Sequence, residues 1–385
     1  MIPRFFLTVL ITTVVLACSD GSDRDSSVGT QPLVEPSEQA AVFGPHPVGH
    51  QRLEAIDVNR GNRQLPYDVW YPVDQADATD EPRTIYPLLG PIGLTAELAV
   101  EDLPVSSSGP YALLIFSHGS RGTNTQSVLL METLASHGFI VVSPEHTGNT
   151  NSDPSDSTDE AGARRVPDVS FMIDTFLARN DIQGDEFFER INADAIGVLG
   201  HSFGGGTALG MVAGFYGVPA DDRVTAAMGI SATIEGRFTR ASLEAVTRPV
   251  MLMGGTLDTS VPIREHALAF EQLTAAEAVF KIDIVGATHT HFANICDIGN
   301  YLLENSISQE LWPDIGAAAL LEPYRITCSE DAFPIAEAQR IQNLYAVAFF
   351  RRYLRGEAPY DFYLQDKYAQ ANEPDIDYQS RIIAP

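Results

Sequence analysis

The sequence predicts an α/β fold built on one mostly parallel central sheet with helices on both faces. Three observations carry this. Short apolar runs alternate with longer amphipathic stretches along most of the chain, as strands and crossover helices do in a parallel sheet. Several of the short runs are apolar throughout, which fits strands buried on both sides. At 385 residues and 44% hydrophobic composition the chain can fill the large core such a sheet needs, and one domain suffices for it.

The opening stretch, MIPRFFLTVLITTVVLACSD, reads as an export signal: one positive residue, Arg4, an apolar run over 5–16, and a small-residue end at Ala17 and Cys18. That run is too short for a membrane-spanning helix. VLAC at 15–18 also resembles a bacterial lipoprotein processing box, in which the cysteine is lipidated. On this reading residues 1–17 are the signal peptide, Cys18 carries lipid, and 18–46, rich in Ser, Asp, Gly and Pro, are a flexible tether. The alternative is a plainly cleaved signal and a secreted product.

A single domain then covers 47–385. Residues 51–59 and 66–71 alternate as opening strands around the turn RGNR. Residues 73–110 carry Pro, Gly, Ser and acids without a period and form an elaborated connection, and 293–333 form a second one. YALLIFSHG, TQSVLLMETLASHG and FIVVSPEHTG then give strand, helix and strand, a βαβ unit. In NTNSDPSDSTDE, Asp153, Asp156 and Asp159 lack the spacing and the glycine of a calcium loop, so this reads as solvated loop and no metal site is expected. VPDVSFMIDTFLAR is an amphipathic helix feeding the strand at 196. VTAAMGIS, PVMLMGG and VFKIDIVG supply three more strands, and PIAEAQRIQNLYAVAFFRRYLRG is a terminal helix closed by Gly356.

Between the strand Ile196-Gly197-Val198-Leu199-Gly200 and a small-residue helix lies Gly200-His201-Ser202-Phe203-Gly204, which fits G-x-S-x-G. In that pattern the serine sits on a strained strand-to-helix turn, and the glycines on either side relieve steric conflict. No phosphate-loop motif competes for the turn. A serine hydroxyl is a weak nucleophile at neutral pH, so it needs an imidazole base, and the base needs a carboxylate to hold its tautomer. The order expected is Ser, acid, His. Asp258 directly follows PVMLMGG and His289 directly follows VFKIDIVG, both at strand C-terminal ends, where open α/β sheets build their sites. Taken singly, Asp258 is as readily a turn former, and His289 or His291 a polar loop residue. Their joint placement points to a triad. Oxyanion donors are expected from the backbone N–H groups of Phe203 and Ser120, while His118 and His201 read as structural neighbours.

IFSHGSRG, LASHGFIVVSPEH and IGVLGHSFGGGTAL resemble the platelet-activating-factor acetylhydrolase family of α/β-hydrolases and, more loosely, dienelactone hydrolases and bacterial polyester hydrolases, over about residues 51–356. The resemblance implies an α/β-hydrolase fold and a metal-independent, cofactor-free serine esterase whose nucleophile matches Ser202 and whose oxyanion donors match Ser120 and Phe203. HTHFAN resembles the family's histidine segment, with the base three residues before the phenylalanine, here His289. The vertebrate members place their acid after the preceding strand, where this chain has GISATIEG with no aspartate. Asp258 follows the bacterial pattern, so vertebrate-like phospholipid specificity is not expected.

Twenty-four basic against 51 acidic residues give a formal net charge of −27. Such a surface repels nucleic acid and anionic lipid headgroups, which excludes nucleic-acid partners and a broad basic membrane face. With Cys18 lipidated, Cys296 and Cys328 remain, and an exported pair is expected as a disulfide; two buried thiols are the alternative. The function expected is an exported, lipid-tethered carboxylic-ester hydrolase in the periplasm or at the outer membrane or cell surface. It would act on small-molecule or lipid esters with short or compact acyl groups. The alternatives are a polyester hydrolase or lipase, a peptidase or thioesterase with the same triad, and a catalytically silent binding module.

Overall fold

The computed structural model describes residues 34–89 and 92–383. The signal segment, the lipidation residue Cys18 and the first part of the tether lie outside the described residues.

The chain opens with an antiparallel ladder of β1 (Val48–Asp57) and β2 (Arg63–Pro72), with Val48 opposite Pro72 and Asp57 opposite Arg63. The first elaborated connection contains a hairpin, β3 (Ile85–Leu89) and β4 (Ile92–Thr95), and the two-residue β5 (Val100–Glu101). The alternating part follows: β6 (Tyr111–Ser117), α1 (Val128–Ser136), β7 (Phe139–Pro144), α2 (Thr158–Asp181), β8 (Ile191–His201) and α3 (Phe203–Ala213). It continues through β9 (Val224–Ile230), α4 (Arg240–Glu244), β10 (Val250–Gly255), α5 (Arg264–Gln272) and β11 (Ala278–Ile284). The second connection carries α6 (Ile295–Glu304) and α7 (Leu321–Thr327). The chain then runs through α8 (Ile335–Leu354), α9 (Asp366–Asn372) and β12 (Ile376–Ile382).

The main sheet has the order β12-β11-β10-β9-β8-β6-β7-β2-β1-β5. Strands β6 to β11 pair in parallel, and β12 closes one side antiparallel to β11. Side chains divide between the faces with the strand period of two. Leu114 and Phe116 of β6 pack on the face covered by α1 and α8, while Leu113 and Ile115 pack on the face covered by α2 and α3. Burial on both faces explains the uninterrupted apolar runs.

Three features depart from the expectations. The helix expected from VPDVSFMIDTFLAR begins earlier, at Thr158, because Ser157 and Glu160 form a reciprocal capping box that ends the acidic loop. A further strand, β12, follows the terminal helix; its half-exposed pattern is that of an edge strand. The tether expected over 18–46 is folded at its C-terminal end. Ala40 is buried, Gly44 N–H donates to Ser136 Oγ at 2.8 Å, Tyr360 O–H donates to Glu38 O at 3.0 Å, and Glu38 pairs with Arg351 at 2.9 Å. An apolar residue and satisfied polar groups hold this segment on the body in place of solvent.

Cys296 and Cys328 are bridged, which ties the start of α6 to the end of α7. Among the described residues no helix is long and apolar enough to cross a membrane.

Candidate active site

The serine turn leaves β8 at the middle of the sheet. Ser202 has φ 58° and ψ −119°, a region that costs a non-glycine residue on the order of 1–3 kcal/mol. Its neighbours hold it there. Ser202 N–H donates to Ile230 O at 2.8 Å, and its carbonyl accepts from Gly206 N–H at 3.0 Å and Thr233 N–H at 3.2 Å. The flanking glycines are a packing requirement: a Cβ on Gly204 would lie 1.8 Å from Ser117 O, and one on Gly200 would lie 2.4 Å from Gly204 O. The turn is thus pressed against the end of β6.

Asp258 stands in the loop after β10 and His289 in the loop after β11. Asp258 Oδ1 accepts from Ser260 N–H at 2.8 Å and Val261 N–H at 2.7 Å, and Oδ2 accepts from His289 Nδ1 at 2.7 Å. Burial raises the pKa of this carboxyl, but the hydrogen bond and charge of His289, with Val261 N–H, outweigh it and hold Asp258 below the ordinary aspartate range. With Nδ1 donating to the carboxylate, Nε2 is left with its lone pair free, as a general base requires. His289 and Ser202 line the same cleft. Among the described residues Ser202 Oγ makes no hydrogen bond.

Ser120 lies in the loop after β6, and a Cβ on the preceding Gly119 would sit 3.4 Å from Ser202 Cβ. Among the described residues neither Ser120 N–H nor Phe203 N–H has an acceptor. Phe203 is the first residue of α3, where the backbone N–H has no intrahelical partner. Two free donors therefore flank the serine.

The other histidines of this region are held by the backbone. His118 Nδ1–H donates to Gly119 O at 2.7 Å, while Nε2 accepts from His146 N–H at 3.1 Å. His201 accepts from Gln126 Nε2 at 3.0 Å and donates to His289 O at 2.9 Å, which links the loop after β6 to the histidine loop through one buried ring. Burial lowers the His201 pKa to about 3, so it stays neutral. His291 accepts from Thr288 N–H and donates to Phe333 O, both at 2.9 Å. It does not line the cleft, whereas His289 does.

The cleft measures about 340 Å³. Its lining includes Ser120 and Arg121, Ile295, Ile298 and Leu320, and Pro87 of the β3–β4 hairpin, so both elaborated connections contribute to it. Thr327, beside Cys328, binds Thr288 Oγ1 at 3.0 Å and Thr290 Oγ1 at 2.5 Å on either side of His289. The bridged connection thereby buttresses the histidine loop. In the acidic loop the Asp153 carboxylate accepts Gly148 N–H at 2.9 Å and Asp156 pairs with Arg164.

Sequence reasoning missed a second, buried series next to the site. Ser117 Oγ donates to His146 Nε2 at 2.9 Å, and His146 Nδ1 donates to Asp168 Oδ2 at 2.9 Å. Asp168 also accepts two bonds from Arg63 and one from Arg60, each at 2.7 Å. Burial lowers the His146 pKa to about 4, and none of the three residues reaches the cleft. In the sequence these are an ordinary strand end, a loop histidine and one helix aspartate, with no local motif to join them.

A family model described as PET hydrolase-like matches residues 102–306, a span that contains Ser120, Ser202, Phe203, Asp258 and His289. Cutinase 1 of Thermobifida cellulosilytica is 28% identical over 180 residues, covering 46% of this chain and 60% of the relative. A cutinase of Thermobifida fusca (strain YX) is 28% identical over 180 residues, covering 46% of this chain and 52% of the relative. The chain thus spans between a half and two thirds of these relatives' length. The structure of a ferulic acid esterase from Streptomyces cinnamoneus superposes with a TM-score of 0.63 at 23% identity, over 89% of this chain and 100% of that one. That likeness is one of fold. Of the resemblances drawn from the motifs, the looser one to bacterial polyester hydrolases is the one the family match carries.

Proposed function

Because the chain belongs to the PET hydrolase-like family and has the α/β-hydrolase fold, we propose that it is a serine carboxylic-ester hydrolase acting through Ser202, His289 and Asp258. One observation carries this reading: an elbow serine and an imidazole bonded to a buried carboxylate line one cleft together with Ser120, and among the described residues the N–H groups of Ser120 and Phe203 have no acceptor. Ser202 Oγ attacks the ester carbonyl carbon as His289 Nε2 takes its proton. The carbonyl oxygen, now an alkoxide, accepts the N–H groups of Ser120 and Phe203. Collapse of the adduct expels the alcohol, which takes the proton back from His289. Water then repeats the sequence on the acyl-enzyme, releasing the acid and restoring the serine. Asp258 holds the Nδ1–H tautomer and stabilises the transient imidazolium.

The substrates are esters with short or compact acyl groups. A cleft of about 340 Å³ lies at the small end of ligand sites, roughly 300–1,000 Å³. A second reading, hydrolysis of a polyester, is favoured by the family match and by relatives named as cutinases. The proposal includes export and a lipid anchor at Cys18, which rests on the sequence; Cys18→Ser should release active protein from membranes.

The test is labelling with a fluorophosphonate, followed by p-nitrophenyl esters of graded acyl length and a solid polyester film. Label on Ser202, with rates highest for acetyl and butyryl esters, is expected. A folded protein that takes no label overturns the reading, and faster turnover of the film than of any soluble ester shifts it to the polyester alternative.

A further inference from the structure

Behind the Ser120 N–H lies a buried cation. Arg165, on α2, is completely inaccessible to solvent, yet among the described residues no carboxylate lies within ion-pairing distance of its guanidinium. Its four acceptors are all neutral. Nη1 donates to His118 O and, at 3.1 Å, to Ser117 Oγ; Nη2 donates to Gly119 O at 3.1 Å and to Asn149 Oδ1 at 2.5 Å. Asp168, one turn along α2, is engaged by Arg60, Arg63 and His146. Burying a charge without a paired carboxylate is expensive, so what the guanidinium touches matters.

It touches the loop that carries the expected oxyanion donor. Gly119 C=O and Ser120 N–H belong to one peptide group, and in a trans peptide they point in opposite directions. Anchoring the oxygen in the interior therefore turns the N–H away from Arg165. Gly119 O collects three donors: Arg165, His118 Nδ1 at 2.7 Å and Gly122 N–H at 3.1 Å. A charged donor on the oxygen also polarises the peptide and strengthens its N–H as a donor. Asn149, bound by the same guanidinium, accepts Arg121 N–H through its own carbonyl at 3.2 Å and so fixes the residue after Ser120. The guanidinium also stands 5.1 Å from the ring centroid of Phe203, whose N–H is the second donor.

We infer that Arg165 is a positioning residue of the oxyanion hole, orienting and polarising the Ser120 N–H through the Gly119 carbonyl. This rests on the ester-hydrolase reading above. Burial draws the guanidinium down to about 9, which leaves it charged at neutral pH.

The test compares the full chain with Arg165→Met and Arg165→Lys. It measures kcat and KM for p-nitrophenyl butyrate, the Ki of a trifluoromethyl ketone that forms a tetrahedral adduct, and thermal unfolding. In Arg165→Met, kcat should fall about tenfold to a hundredfold, with KM held within about threefold and Ki weakened in proportion to kcat/KM. Arg165→Lys, which keeps the charge, should lie between Arg165→Met and the parent. Folded variants with parental kcat and Ki overturn the inference, as does a loss of kcat with Ki unmoved, which is what a merely structural role would give. If Arg165→Met does not fold, Arg165→Lys decides by the same criteria. A parent protein that turns over no ester refutes the ester-hydrolase reading itself, whereas an active parent with indifferent variants refutes only the role of Arg165.

Discussion

Ser202, His289 and Asp258 at the cleft and Ser117, His146 and Asp168 beneath it are the same three residue types, and their histidine–aspartate contacts are 2.7 and 2.9 Å. What surrounds them differs. Ser117 is sealed from solvent, donates to His146 and accepts from Arg165, and Asp168 is gripped by two arginines. Among the described residues, Ser202 sits on a strained backbone with its hydroxyl unpartnered, Asp258 is bonded by His289 and two backbone N–H groups and has no arginine partner, and the N–H groups of Ser120 and Phe203 have no acceptor. Composition and contact distances do not make a nucleophile. The buried series is a scaffold because the hydroxyl, ring nitrogens and carboxylate oxygens of Ser117, His146 and Asp168 are all bonded, and the cleft series is suited to chemistry because the Ser202 hydroxyl is not.

The sharpest way to break this comparison is to remove each hydroxyl. Ser202→Ala should abolish turnover and leave the melting temperature at or above that of the parent. Ser117→Ala should keep turnover within about tenfold while costing roughly 1–3 kcal/mol of stability, the penalty for orphaning buried partners. The opposite pattern in rate and denaturation assays would move the nucleophile to the interior.

The histidines come next. His289→Ala should match Ser202→Ala in rate, and Asp258→Asn should lower kcat by about 10⁴ because an amide accommodates the wrong tautomer. His291→Ala should act through stability, since its bonds run to Thr288 and Phe333. A larger rate loss for His291→Ala than for His289→Ala would reassign the base.

A third comparison uses pH. Asp258 and Asp168 both titrate lower in the folded chain than in the unfolded one; for each, burial raises the value and the bonded histidine, with Arg63 for Asp168, overcomes it. Each carboxylate therefore stabilises the fold above the ordinary aspartate range, and that contribution is lost as pH falls through the folded value. At pH 7, Asp168→Asn should cost about 3–5 kcal/mol, and Asp258→Asn less, because only Asp168 is paired with arginines. Both differences from the parent should shrink in denaturant titrations taken towards pH 3; a gap that widens on acidification would contradict the sign.

The smallest expected effect on rate concerns the bridge. Its cysteines are 32 residues apart, for which chain entropy gives about 3–4 kcal/mol. The double substitution Cys296→Ser with Cys328→Ser should lower the melting temperature accordingly and reduce kcat only a fewfold, through slack at Thr327. Unchanged kinetics across the whole ester panel would show that the second connection merely walls the cleft.

The juxtaposition of Ser202, Asp258 and His289 was legible because each follows a buried strand directly, so local patterns reported a long-range arrangement. The sheet was legible for the same reason. Arg165, His146 and Asp168 were not, since a buried arginine on an amphipathic helix differs in no local way from an exposed one; only the fold shows that its four acceptors lie inward. The capping box at Ser157 and Glu160 was present in the letters but hidden in an acidic stretch that read as loop. Strand β12 is as long as β6, β9 and β11 but too exposed and polar to announce itself, and the folding of 35–46 depends on partners on α1, α8 and the turn after α8.

The left-handed backbone of Ser202 has a consequence for mutational drift. Glycine adopts that conformation freely, so Ser202→Gly would relieve on the order of 1–3 kcal/mol of strain, against roughly 1 kcal/mol of added backbone entropy in the unfolded chain. For a protein of which nothing but folding was required, this position slopes away from serine. Its occupancy by serine is therefore a standing cost that selection on foldedness alone would not maintain.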